Sequence, residues 1–115
     1  MKILVVDDHQ QLCRLTCDIL CQEGHESVPA YNGFDALQLL RQDNFGLVIT
    51  DYVMDGMNGL ELTHAIHEIF PDMPVIMVTA YGPIEDVHLK LCLAKEDMFP
   101  ALIEIVRECL AQNTR

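Results

Sequence analysis

Ile3-Leu4-Val5-Val6-Asp7-Asp8 is a short, unbroken apolar run that stops on two carboxylates. A strand covered on both faces reads this way, because neither side alternates towards water. Leu12, Leu15, Ile19 and Leu20 follow at helical spacing, and Gly24 marks the end of that helix. The unit then recurs. Ser27-Val28-Pro29-Ala30 reads as a weak second strand, Phe34, Leu37 and Leu40 mark a second helix, and Leu47-Val48-Ile49-Thr50 is a third strand. Asn58 with Glu61 three residues later resembles a capping box, and it opens a helix expected to bury Leu62, Ile66 and Ile69. Pro74 introduces the strand Val75-Ile76-Met77-Val78, and Leu91-Cys92-Leu93-Ala94 is a brief fifth. Leu102, Ile105, Val106, Cys109 and Leu110 trace a last amphipathic helix.

Short apolar runs alternating with longer amphipathic ones predict an α/β fold built of parallel βαβ units. Five strands, about five helices and right-handed crossovers leave few topologies. A doubly wound, flavodoxin-like parallel sheet of order 2-1-3-4-5 is foremost. The twelve residues between Val78 and Leu91 barely cover the roughly ten to twelve that a parallel crossover needs. The fourth helix is therefore expected to be shortened to one or two turns within residues 83–88, where Pro83 suits a first turn. The 115 residues predict one domain over residues 1–115.

Lys plus Arg number 7 against 18 Asp plus Glu, a formal charge of −11. Such a surface repels phosphate backbones and anionic lipid, so neither direct nucleic-acid binding nor membrane binding is expected. The chain starts without a signal-peptide run and has no stretch of membrane-spanning length, so a cytoplasmic location follows by default. Five cysteines form no Cys-x-x-Cys pair. Cys13, Cys17 and Cys21 recur every four residues and read as small hydrophobes on a helix flank in a reducing compartment. His64 and His67 lie three apart with no third ligand nearby in sequence, and read as part of a solvated helix face.

In an open α/β sheet the ligand crevice lies beyond the carboxyl ends of the strands. Asp7 and Asp8 follow the first strand, Asp51 the third, Thr79 the fourth and Lys95 the fifth. The topology thus gathers three carboxylates, a hydroxyl and an ammonium. Crowded carboxylates raise each other's pKa unless a cation neutralises them, and oxygen-only ligands suit a hard ion, Mg²⁺ above all. A carboxylate can itself accept a phosphoryl group as an acyl phosphate, a reaction that needs chiefly positioning and charge neutralisation.

Six stretches resemble the response-regulator receiver family of two-component signalling. They are Val5-Val6-Asp7-Asp8, Gly24-His25-Glu26, Asn32-Gly33-Phe34-Asp35-Ala36-Leu37, Leu47-Val48-Ile49-Thr50-Asp51, Met54-Asp55-Gly56-Met57-Asn58-Gly59-Leu60-Glu61-Leu62 and Pro74-Val75-Ile76-Met77-Val78-Thr79-Ala80-Tyr81. The resemblance implies a phosphorelay protein with Asp51 as phosphoacceptor. It implies Mg²⁺ on Asp8, Asp51 and the Val53 backbone carbonyl, with Asp7 acting through water. Thr79 resembles the switch hydroxyl and Lys95 the phosphate-pairing lysine. It further implies a histidine kinase or phosphotransfer protein upstream and a protein target downstream. The chain would be no enzyme beyond slow self-phosphorylation from small donors and self-dephosphorylation.

The last third departs from the family pattern. Fifteen residues, Ala80 to Ala94, separate Thr79 from Lys95, fewer than receivers usually have; Glu96 stands where a proline usually follows the lysine; and Cys92 stands where receivers carry Tyr or Phe. Without that aromatic lever, the output is expected to pass through Ala80, Tyr81 and the short segment leading to Cys92. No effector domain follows the last helix, so action through another protein is expected. A phosphatase of the haloacid dehalogenase type would need a second carboxylate after Asp51, where Asp51-Tyr52-Val53 has none. A flavin carrier would place phosphate against Asp7-Asp8, which repels it. The remaining alternative is a pseudo-receiver that binds partners without phosphorylation, suggested by the remodelled segment 82–96.

Overall fold

The five strands are β1 (Lys2–Val6), β2 (Glu26–Ala30), β3 (Leu47–Asp51), β4 (Val75–Thr79) and β5 (Leu91–Ala94). They pair in parallel as one sheet of order β2-β1-β3-β4-β5. Helices α1 (Gln10–Gln22), α2 (Gly33–Gln42), α3 (Gly59–Ile69) and α4 (Met98–Asn113) flank it. The computed structural model describes residues 2–80, 85–86, 88–95 and 98–113. The expected doubly wound architecture is the observed one. Half of the short fourth helix expected within residues 83–88, residues 83, 84 and 87, falls outside the described residues; Glu85, Asp86 and His88, which are described, are not helical.

Alternation along each strand divides the core in two. Ile3, Val5, Ile49, Ile76 and Val78 point to α1 and α4, where Cys13, Cys17, Leu20, Leu102 and Val106 meet them. Leu4, Val6, Val48 and Val75 point to α2 and α3, against Ala36, Leu40, Leu62 and Ile66. Both faces are covered, so the inner strands are apolar over most of their length, with polar residues gathered at their ends. Pro29 sits in β2, opposite Val5. It is tolerated because β2 is an edge strand, where one side of the backbone needs no ladder donor.

Three helix faces differ from the expected ones. α1 buries Cys13, Thr16, Cys17 and Leu20 while Leu15 is 49% exposed. α2 buries Gly33, Ala36 and Leu40 while Phe34 is 62% exposed, and Ile69 at the end of α3 is 41% exposed. The smaller side chains lie against the sheet and let the helix axes approach, while bulky ones are displaced to the flank. Cys13 and Cys17 are thus core residues and Cys21 is exposed. The side chains of Cys109 and Leu110 lie outside the described residues.

Helix termini follow local chemistry. Gly24 has φ +89°, the amide of Gly24 donates to Cys21 O and that of His25 to Leu20 O. This is a Schellman stop that the left-handed conformation of glycine permits. The capping box at α3 is complete: Asn58 Oδ1 accepts from the Glu61 amide at 2.8 Å, and Glu61 Oε1 from the Asn58 amide at 3.1 Å. Behind it, the Gly59 amide donates to Tyr52 O at 2.7 Å. A Cβ on Gly59 would stand 2.3 Å from Asp51 O and 2.9 Å from Tyr52 Cα. Backbone lies on that side, and it cannot swing away as a side chain could.

Gly59→Ala is therefore expected to destabilise the fold by at least the roughly 1–3 kcal/mol of typical overpacking. Asn58→Ala should cost about 1 kcal/mol, the worth of a lost cap. Urea unfolding of both variants checks this, and a Gly59→Ala protein as stable as the parent would contradict the close approach.

Candidate functional site

β1 and β3 are neighbours in the sheet, so their carboxyl ends bring Asp7, Asp8 and Asp51 together. One carboxylate oxygen from each lies within 4.8 Å of the others. β3 runs one residue further than expected, making Asp51 its last residue, in register with Val78. β4 likewise ends on Thr79, one position beyond Val78, with its side chain 2% exposed. Lys95 directly follows β5, and its Nζ lies 3.2 Å from Asp51 Oδ2. The crevice measures about 280 Å³ and is lined by Asp7, Asp8, His9, Asp51, Val53, Ala80 and Lys95. Thr79 is not among the residues that line it.

Burial separates the three acids: Asp7 and Asp51 are each 7% exposed, and Asp8 is exposed. Loss of solvent pushes the Asp7 carboxyl above its ordinary range, and the negative charge of Asp51 adds to this. The larger opposing influence is the His9 amide, which donates to Asp7 Oδ1 at 2.9 Å, and the charge of Lys95 acts in the same direction. At an effective dielectric near 20, each pair of charges at such separations costs roughly 3–4 kcal/mol. One ammonium, that of Lys95, against three carboxylates leaves an excess of two negative charges in the crevice.

Sequence reasoning left three positioning contacts unseen. His9, not an aspartate, caps α1, its Nδ1 accepting from the Leu12 amide at 3.2 Å. Both carboxylates after β1 therefore face the crevice instead of serving the helix. The Asp55 amide donates to Asp8 Oδ2 at 3.3 Å, tying the loop after β3 to the acid after β1. Gly59 allows α3 to rest on the backbone of Asp51 itself. The motif around Gly59 was visible, but the close approach that requires glycine there is a tertiary fact. Among the output residues, Ala80 is exposed at the crevice, Cys92 is half-buried opposite Met77, and Tyr81 lies outside the described residues. No helix of the described residues is long and apolar enough to cross a membrane.

Comparison with known proteins places this geometry. A family model described as response regulator receiver domain matches residues 3–100. Transcriptional regulatory protein GlrR of Escherichia coli K12 is 40% identical over 84 residues, covering 73% of this chain and 19% of GlrR. Sensor histidine kinase RcsC of the same organism is 34% identical over 116 residues, covering 96% of this chain and 12% of RcsC. The chain thus spans a fifth or less of these curated relatives. Among solved structures, response regulator TrrA of Thermotoga maritima in complex with Mg²⁺-BeF superposes with a TM-score of 0.86 at 33% identity, covering 94% of this chain and 97% of that one. The complex of histidine kinase ThkA with TrrA gives 0.85 at 34% identity, covering 95% of this chain and 97% of that one. The β2-β1-β3-β4-β5 sheet, the acids at its carboxyl ends and the match over residues 3–100 agree: the chain belongs to the response regulator receiver domain family.

Proposed function

We propose that this receiver domain takes a phosphoryl group onto Asp51 and signals to a partner protein by the change that follows. The observation that carries the reading is the meeting of Asp7, Asp8 and Asp51 with Lys95 at the carboxyl end of the sheet. The donor set is all oxygen and the crevice carries an excess of two negative charges, a fit for a hard divalent cation. Asp8, Asp51 and the Val53 backbone carbonyl would hold Mg²⁺, with Asp7 acting through water; the bound ion supplies charge neutralisation to the transferred group.

The chain's own residues account for the rest. A carboxylate oxygen of Asp51 attacks the phosphorus of the donor, a P–O bond forms, and the bond to the donor's leaving atom breaks. The Lys95 ammonium, paired with Asp51 before transfer, moves its charge to one phosphoryl oxygen, and Thr79, buried at the end of β4 outside the crevice lining, turns its hydroxyl inward to donate to another. The donor is the phosphohistidine of a histidine kinase or phosphotransfer protein, a reading supported by the likeness to TrrA, whose complex with ThkA is among the similar structures. Beyond slow self-phosphorylation from small donors and self-dephosphorylation, no catalysis is assigned. The phosphorylation-independent alternative gains no support from a crevice in which every acid and the lysine are assembled. With Cys92 in place of an aromatic lever, the change is read through Ala80, Tyr81 and the segment that follows.

Acetyl phosphate with Mg²⁺ should add one phosphate by intact-mass measurement, and Asp51→Asn should abolish it; full labelling of that variant would refute the assignment. Mg²⁺ should stabilise the fold by about 2.7 kcal/mol at one hundred times its Kd, and Asp8→Ala should weaken that linkage. Folded Asp7 holds its proton more tightly than unfolded Asp7. Its stabilising share is thus full below about pH 4 and lost as pH rises through the folded pKa. Asp7→Asn should therefore raise the metal-free melting temperature at neutral pH, with a smaller gain in acid. Hydrogen exchange with and without beryllofluoride should change most in residues 80–90; changes confined to α1 would contradict that route.

A further inference from the structure

A second cluster of ligand-type side chains lies where α3 meets the segment leading into β5, and it shares no residue with the Asp51 crevice. His64 of α3, Asp86 and His88 each place one ligand atom within 4.8 Å of the others. His64 Nε2 and Asp86 Oδ2 are 2.9 Å apart, and the His64 and His88 ring centroids 5.3 Å. The segment is locally ordered by Asp86: its Oδ1 accepts from the His88 amide at 2.9 Å, and its carbonyl accepts from the Leu89 amide at 3.1 Å. His67, one turn along α3, adds an independent observation. Its Nε2 lies 2.6 Å from Met73 O. A carbonyl only accepts, so Nε2 carries the proton and Nδ1 of the neutral ring holds a lone pair. That Nδ1 is buried without a partner among the described residues, and its ring stands 5.0 Å from His88. A histidine whose far nitrogen is tied to a carbonyl while the other offers a lone pair has the usual second-sphere arrangement of a metal ligand. The expectation of a solvated face therefore holds for exposed His64 but not for half-buried His67.

We propose that His64, Asp86 and His88 form a binding site for a divalent transition-metal ion of the Zn²⁺ class, with His67 beside them. Two imidazoles and a carboxylate select borderline ions over Mg²⁺ and leave one tetrahedral position open. Ligand atoms at tetrahedral angles and bond lengths near 2.0–2.1 Å are about 3.3 Å apart. The His64–Asp86 pair, at 2.9 Å, has to open only slightly. The ion takes the place of the proton that now bridges His64 and Asp86, and the neutral ring then carries its single proton on Nδ1. Once bound, it clamps α3 to the connection between Thr79 and Lys95, the part of the chain most unlike other receivers.

The test is calorimetric titration of the full chain with ZnCl₂ under saturating Mg²⁺, which keeps the Asp51 crevice occupied. One Zn²⁺ should bind per chain. His64→Gln and His88→Gln should each weaken it by at least the roughly tenfold that loss of an outer-sphere partner costs. Their metal-free melting temperatures should stay close to the parent's, as both side chains are exposed. Zn²⁺ should also slow hydrogen exchange at the Leu89 amide. Absence of binding, or binding that survives the double variant His64→Gln/His88→Gln, would overturn the proposal, the latter pointing to exposed Cys21 instead. Asp51→Asn should leave Zn²⁺ affinity unchanged, so loss of the phosphoacceptor role would not touch this result.

Discussion

β3 is buried along its whole length, with helices on both sides of it. Such a strand can be apolar everywhere except at its end, and there the chain places Asp51. Register then does the rest. Pairing with β1 puts Asp7 and Asp8 beside that end, and pairing with β4 puts Thr79 one position on. α3 closes the arrangement from behind, resting on the Asp51 backbone through a glycine. The phosphoacceptor candidate is therefore positioned by main chain on three sides, and little of its geometry is left to side-chain choice.

The cost of this arrangement is electrostatic. Two nearly buried carboxylates and a third beside them are a repulsion that the unfolded chain does not suffer, and one lysine offsets only part of it. Apolar burial on both faces of the sheet has to carry that deficit. A site in this condition gains from any arriving positive charge and is altered by any new negative one. That imbalance is what the proposed phosphorylation of Asp51 would act on.

The histidine cluster shows how far sequence spacing can mislead about which side chains meet. His64 and His67 lack a third donor within a helical turn or two, yet the fold returns Asp86 and His88 to the same surface, 22 residues further along between His64 and Asp86. The helix faces teach the same lesson in another form. Leu15 and Phe34 follow apolar periodicity but are exposed, while the smaller Cys13 and Ala36 of the same helices pack into the core beneath.

Periodicity, strand-end chemistry and turn residues by themselves determined the five strands, their order, the glycine stop at Gly24, the capping box at Asn58 and the identity of the acids at the strand ends. These follow from local rules, since a buried parallel strand, a cap or a Schellman turn is written in a few adjacent residues. Only the tertiary structure decided that His9 rather than an aspartate caps α1, that Lys95 reaches Asp51, that Gly59 must lack a side chain, and that His64 meets Asp86. The His9 cap is local, a bond to the Leu12 amide three residues on, but the other three depend on how separate segments pack, which local pattern does not set.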